Sequence, residues 1–288
     1  MAPTSSPVEL YADYLRAGST APGTIRLRTH YLNRLARHLA PVALTDATPA
    51  DLLHWIASAD WSAETRKSAR SSLAGFYAWL AAYGHREDNP AALLPTVRVP
   101  RALPKPTPAA VLARALLAAT DRDALMLQLA AYAGMRRTEI ARVRWEHVSD
   151  DGAGAVLAVH GKGGRGRLLP LLPLLTDALH AERRRRDAGQ VGTGWRFAAD
   201  PRSPYVFPGR GGGHIHPETV GAVLTDALGE GWTGHTLRHR FATRAYAGTR
   251  DLRAVQELLG HSKPETTARY VAVAGDDLRR AVDAAGAA

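Results

Sequence analysis

The chain has no cysteine and only four lysines (Lys67, Lys105, Lys162 and Lys263) in 288 residues. Without cysteine there is no disulfide framework, no thiolate nucleophile and no Cys-ligated zinc, and the composition suits a reducing cytosol. Long apolar runs are missing too, since no segment approaches the roughly 20 residues that a membrane-spanning helix needs. The opening Met1-Ala-Pro-Thr-Ser-Ser-Pro7 lacks the apolar core of a secretory signal. These absences predict a soluble, cytoplasmic protein with no membrane partner.

Arginine is abundant. Lysine and arginine together number 37 against 27 acidic residues, a formal charge of +10. A genome that prefers arginine codons accounts for part of this excess. The balance also favours a polyanionic partner, because each basic group that meets a phosphate releases condensed counterions. At 45% hydrophobic and 22% charged the composition is that of a globular protein, long enough for two modest domains with separate cores.

The first hundred residues read as short-linked helices. Leu10, Tyr14 and Leu15 recur at helical spacing. Thr24 is an expected N-cap for a longer helix carrying Ile25, Leu27, Tyr31, Leu32, Leu35 and Leu39. Its opposite face holds Arg26, Arg28, Arg34, Arg37 and His38. A short helix follows Thr48-Pro49. Another opens at Ser62 or Glu64, with Arg66, Lys67 and Arg70 in its first turns. Two basic helical faces in one small bundle suggest a DNA clamp, although solvated faces of an amphipathic bundle would look the same.

From Asn89 to Pro108 the chain carries Pro90, Pro95, Pro100, Pro104, Pro106 and Pro108, which forbids a continuous helix and favours an extended connection. The expected division is a helical domain over residues 1–88, a linker over 89–107 and a second domain over 108–288. The second part reads as helices around two short strand-like runs, Ala155–His160 and Arg167–Pro170, joined by the glycine-rich Gly161-Lys-Gly-Gly-Arg-Gly166. Further helices are expected over Pro264–Val271 and Asp276–Ala285. The fold class is therefore mainly α with a small antiparallel sheet.

Five polar positions stand out: Gly134-Met-Arg-Arg-Thr-Glu139, Lys162 at the hairpin tip, His235-Thr-Leu-Arg-His239, Leu258-Leu-Gly-His261 and Thr266-Thr-Ala-Arg-Tyr270. Each alone has an ordinary reading. Arg136 and Glu139 suit an i, i+3 pair, Lys162 a solvated loop, His261 a helix C-cap, and Tyr270 a core aromatic. Their order and spacing together resemble the tyrosine recombinase, or phage integrase, family. The box His-x-Leu-Arg-His, an apolar helix, Leu-Gly-His and Thr-Thr-x-x-Tyr runs unbroken from His235 to Tyr270. Upstream, Ala133-Gly-Met-Arg-Arg-Thr-Glu-Ile140 is similar to the family's first arginine motif, and Val159-His-Gly-Lys-Gly163 to its lysine hairpin. The resemblance covers residues 106–285; the first hundred match only in size and helical pattern.

The resemblance implies a helical-bundle core-binding domain, a C-terminal catalytic domain, and six catalytic residues: Arg136, Lys162, His235, Arg238, His261 and Tyr270. Tyr270 attacks the DNA phosphate, giving a 3′-phosphotyrosyl enzyme and a free 5′-hydroxyl. Arg136 and Arg238 hold the non-bridging oxygens, since planar, permanently charged guanidiniums engage phosphate as a fork. His235 hydrogen-bonds the phosphate or accepts the tyrosine proton, and His261 donates to the same phosphate. Lys162 protonates the leaving oxygen. Glu139 orients Arg136. The ester retains the bond energy, so neither ATP, metal nor another cofactor is expected. The Gly-x-Arg-x-x-Glu register selects Arg136 over its neighbour Arg137.

The partner is double-stranded DNA, met by Arg26, Arg28, Arg34, Arg66, Lys67, Arg70 and Arg165. Four protomers are expected to assemble on two sites and exchange strands through a Holliday junction, in association with the nucleoid. The lack of an extra N-terminal arm domain suggests a simple target site. Three other readings stay open: a type IB topoisomerase, a DNA-binding protein that has lost catalysis, and a metal-dependent nuclease using His214/His216 or His235/His239.

Overall fold

Local capping sets where the helices begin. The computed structural model describes residues 6–100, 103–150, 152, 154–161, 166–190 and 202–261. Helix α1 (Pro7–Ala17) opens on a reciprocal box: the Ser6 hydroxyl accepts from the Glu9 N–H and the Glu9 carboxylate accepts from the Ser6 N–H. Thr48 and Asp51 repeat the device at α3 (Pro49–Ser58), and the Ser62 hydroxyl caps α4 (Ala63–Ala82). Helix α2 (Pro22–Leu39) differs from the sequence expectation. It begins at Pro22 rather than after Thr24, with proline's fixed φ serving its first turn in place of a side-chain cap.

The chain divides into two compact units between Arg101 and Ala102. In the first, α1 to α4 bury Leu32, Leu35, Leu52, Leu73, Phe76, Tyr77 and Leu80 completely. The proline-rich stretch is more than a tether. Ala91 and Leu94 complete the first core, and the Arg70 guanidinium donates twice to the Leu94 carbonyl. Further on, Thr107 is buried within the second unit, where its N–H donates to the Thr236 carbonyl.

The second unit is built around α6 (Asp121–Tyr132), whose Leu125, Met126, Leu127, Leu129 and Ala130 are buried on all sides, as befits a central helix. Around it lie α5 (Ala109–Ala118), α8 (Pro173–Asp187), α9 (Pro217–Leu228) and α10 (Gly234–Thr249). Short α7 (Arg137–Ala141) packs on α9, and α11 (Leu252–Leu259) packs on α10. A three-stranded antiparallel sheet runs β1 (Val148–Asp150), β2 (Ala155–His160) and β3 (Gly166–Pro170), with Leu157 opposite both Val148 and Leu169. Strand β1 adds an edge that three residues of sequence did not announce. The expected helices over Pro264–Val271 and Asp276–Ala285 lie outside the described residues.

The run Arg183-Arg-Arg-Arg186 at the end of α8 looks like a cationic patch, yet half of it faces inward. Arg186 is 3% exposed, donates to the Tyr205 and Val206 carbonyls, and sits against the buried Glu182 carboxylate. Arg185 bridges Glu182 and Asp121. Replacing Arg186 with alanine strands two carbonyls in the interior and leaves the buried Glu182 carboxylate with Arg185, and should cost about 3 kcal/mol in a denaturant titration. Arg184→Ala, at an exposed position, should stay within about 0.5 kcal/mol. Equal effects would show that Arg186 holds nothing in place.

Candidate active site

Glu139 is the single negative group around which this region is built. It stands on α7 with its side chain 4% exposed. One carboxylate oxygen accepts from the Arg136 backbone N–H (2.9 Å), the other from Arg136 Nη1 (2.8 Å). The Arg167 guanidinium closes on both oxygens as a fork, Nη1 at 3.0 Å and Nη2 at 2.9 Å. Arg238 Nη1 lies 4.0 Å away. Burial alone would raise the Glu139 pKa. The Arg167 hydrogen bonds and charge, with the Arg136 N–H and guanidinium, outweigh it and hold the pKa at about 2.

Arg238 reaches the same place from α10. Its guanidinium is 3% exposed, donating to the Gly134 carbonyl and to the Leu259 carbonyl, each at 2.5 Å. Arg136, 40% exposed, also points Nη1 at the Leu259 carbonyl, at 3.4 Å. Two arginines far apart in sequence thus meet at one carbonyl, at the end of α11. The chain turns there at Gly260, whose φ of +61° is left-handed, and His261 follows at once.

Gly134 is required for two reasons. Its φ is +61°, and a Cβ there would lie 2.5 Å from the Phe241 ring. The close approach of α6's end to α10 is what lets the Gly134 carbonyl receive Arg238. On α10 the Thr233 hydroxyl caps the first turn, leaving His235 exposed one turn before Arg238. The His235 and His239 rings meet edge to face at 4.6 Å.

The structure therefore brings together Arg136, Glu139, Arg238 and the start of the His261 segment, with His235 on the helix that carries Arg238. Lys162, Arg165 and Tyr270 lie outside the described residues. Sequence reasoning missed Arg167. The signal was available: in β3 it alternates with outward Leu168, 65% exposed, and shares the inward face with buried Leu169. A cation on the buried side of a strand needs a buried partner.

Among the other cations, Arg28 donates to the Tyr11 hydroxyl, Arg66 to the Ile56 and Ala59 carbonyls, and Arg70 to Leu94. Arg34 stacks over Trp61, while Arg26 and Lys67 are exposed. His216 accepts the Glu218 N–H as the cap of α9, and a ring nitrogen of His214 pairs with the Ile215 carbonyl. Among the described residues, no three His, Asp or Glu side chains form a candidate metal cage, and no helix is long and apolar enough to cross a membrane.

A mainly helical unit with a small antiparallel sheet and two arginines meeting at one carbonyl is the arrangement that the resemblance implies, and known proteins share it. Residues 110–276 match the phage integrase family. The chain is 34% identical over 225 residues to tyrosine recombinase XerC of Xanthomonas campestris, covering 75% of this chain but 66% of that relative, just under two thirds of its length. It is 30% identical to XerC of Chromobacterium violaceum over 96% of this chain and 93% of the relative. The fold also resembles the XerH site-specific recombinase bound to a palindromic difH substrate, with TM-score 0.72 and 18% identity over 96% of this chain and 83% of the other. The chain belongs to the tyrosine recombinase (phage integrase) family.

The pKa of Glu139 carries a stability prediction. Folding lowers it from 4.5 to about 2. The stabilisation is therefore complete above about pH 4.5 and is lost as pH falls towards 2, amounting to on the order of 3 kcal/mol. Glu139→Gln should be less stable than the native protein at pH 7, and the gap should close between pH 4.5 and 2. A gap constant over that range would refute the charge-based account.

Proposed function

We propose that this chain is a site-specific recombinase that cleaves and rejoins double-stranded DNA through a 3′-phosphotyrosyl intermediate at Tyr270. One observation supports this most: Arg136 and Arg238 both donate to the Leu259 carbonyl, so two guanidiniums converge at the end of α11. A scissile phosphate bound near them would meet preorganised positive charge, the main requirement of phosphoryl transfer. His235, one turn before Arg238, and His261, just beyond Gly260, add donors of the kind a phosphate oxygen accepts.

The Tyr270 hydroxyl passes its proton to His235 as its oxygen attacks phosphorus, a phosphotyrosine ester forms, and the bond to the 5′-oxygen breaks. Lys162 supplies the proton that the leaving oxygen takes up. A free phenol has a pKa near 10, and a cationic surround favours phenolate, so the arginines that neutralise the phosphate also activate the nucleophile. Rejoining is the reverse step with a new 5′-hydroxyl, which needs no ATP. The remaining assignments belong to the same reading. Residues 1–88 form a core-binding domain joined through residues 89–107 to a catalytic domain over 108–288. Exposed Arg26 and Lys67, with Arg165, contact the DNA backbone. Four protomers assemble on two sites, acting at the nucleoid in the cytoplasm.

The test uses a duplex selected from sheared genomic DNA by its binding to Tyr270→Phe, then nicked and presented in EDTA. The native protein should form a covalent adduct visible on a denaturing gel. Tyr270→Phe should bind the duplex and form none, and Arg136→Ala or Arg238→Ala should slow adduct formation by about 10²–10³-fold. Cleavage that needs metal and leaves no adduct, or an adduct that survives loss of Tyr270, would overturn the proposal.

A further inference from the structure

Arg167 belongs to no motif of the sequence, yet it touches three elements that meet at the site. Its Nε donates to the Leu258 carbonyl at 2.7 Å, at the C-terminal end of α11. Its two Nη atoms hold the two oxygens of Glu139 on α7. Its backbone lies in β3, five residues after Lys162 in the sequence. All three guanidinium nitrogens are thus engaged within the protein, and the side chain is 10% exposed.

The end of α11 is where these contacts converge. Its last carbonyls, Leu258 and Leu259, accept from Arg167, Arg136 and Arg238. Cations at a helix C-terminus meet the negative end of its dipole and satisfy carbonyls that have no partner within the helix. The fit is close: a Cβ on Gly260 would lie 3.0 Å from Arg167 Nη1. Arg136 can swing, being 40% exposed, but its partner Glu139 is fixed by the Arg167 fork.

We propose that Arg167 is a positioning residue for DNA cleavage, fastening Glu139, and through it Arg136, to the C-terminal end of α11 from which His261 departs. It acts through these neighbours and does not touch the phosphate. The inference deepens the recombinase reading and rests on it for its effect on rate, but its structural half stands without DNA. A planar fork is needed, because lysine presents a single point charge that cannot span both carboxylate oxygens and a carbonyl.

Two measurements on the full chain test this. On the nicked, selected duplex at saturation, Arg167→Met should form adduct about 10²-fold more slowly, the scale expected when reacting groups are misplaced by about 1 Å, with DNA affinity unchanged. Arg167→Lys should recover part of the rate. In the protein without DNA, amide exchange should speed up in Leu252–Gly260 of Arg167→Met while Asp121–Tyr132 stays protected. If Arg167→Met proves unstable, Glu139→Gln/Arg167→Met removes both buried charges and should regain the thermal midpoint while staying slow. Native rate in Arg167→Met, full rate in the stable double variant, or unchanged exchange in Leu252–Gly260 would each overturn the proposal. Absence of any adduct with the native protein would instead defeat the recombinase reading, and the exchange measurement would still decide Arg167.

Discussion

A carboxylate taken out of water, with nowhere to go but towards guanidiniums, organises the second unit. Burying Glu139 costs several kcal/mol unless charge and hydrogen bonds replace the lost hydration. Here they come from Arg136 at the N-cap of α7, Arg167 on β3 and, at 4.0 Å, Arg238 on α10. The pKa near 2 indicates that the replacement more than compensates for burial. Apolar clusters of similar volume are often as stable as buried ion pairs; what the ion cluster adds is direction. A methyl group accepts neighbours from any side, whereas a carboxylate holding a fork allows one arrangement of its arginines.

That direction is carried outward by backbone carbonyls. Gly134, Leu258 and Leu259 each receive a guanidinium N–H, so the ends of α6 and α11 are pinned to the same charges that Glu139 fixes. The glycines follow from the packing. Gly134 permits a left-handed turn against Phe241, and Gly260 permits another against Arg167. In each case a side chain would push apart two elements whose closeness delivers an arginine. The motif glycines of the sequence are thus consequences of where the arginines must stand.

The mainly helical fold and most helix boundaries were legible because capping residues and apolar spacing act locally. Strand β1 was not, since three residues give no period, and the start of α2 was misplaced because Thr24 looks like a cap while Pro22 needs none. At the site, Arg136, Arg238 and Glu139 were readable from spacing, and the structure brings them within contact. Arg167 was hidden because its partners lie 28 and 91 residues away, on elements that no local pattern connects. Its position on the inward side of β3 was the one clue.

Charge was the least legible property of all. A formal +10 invites every arginine run to be read as a surface for a polyanion, but an arginine carries five donors and serves equally well to close off carbonyls. Arg186 does so beneath α8, Arg66 at the end of α3, and Arg70 against Leu94. Among the described clamp candidates, Arg26, Arg34 and Lys67 remain exposed, with Arg34 stacked over Trp61. Part of the arginine excess therefore does the work that serine caps and buried waters do elsewhere. In the second unit it is the arrangement of a few cations, held by carbonyls and one carboxylate, that matters rather than their number.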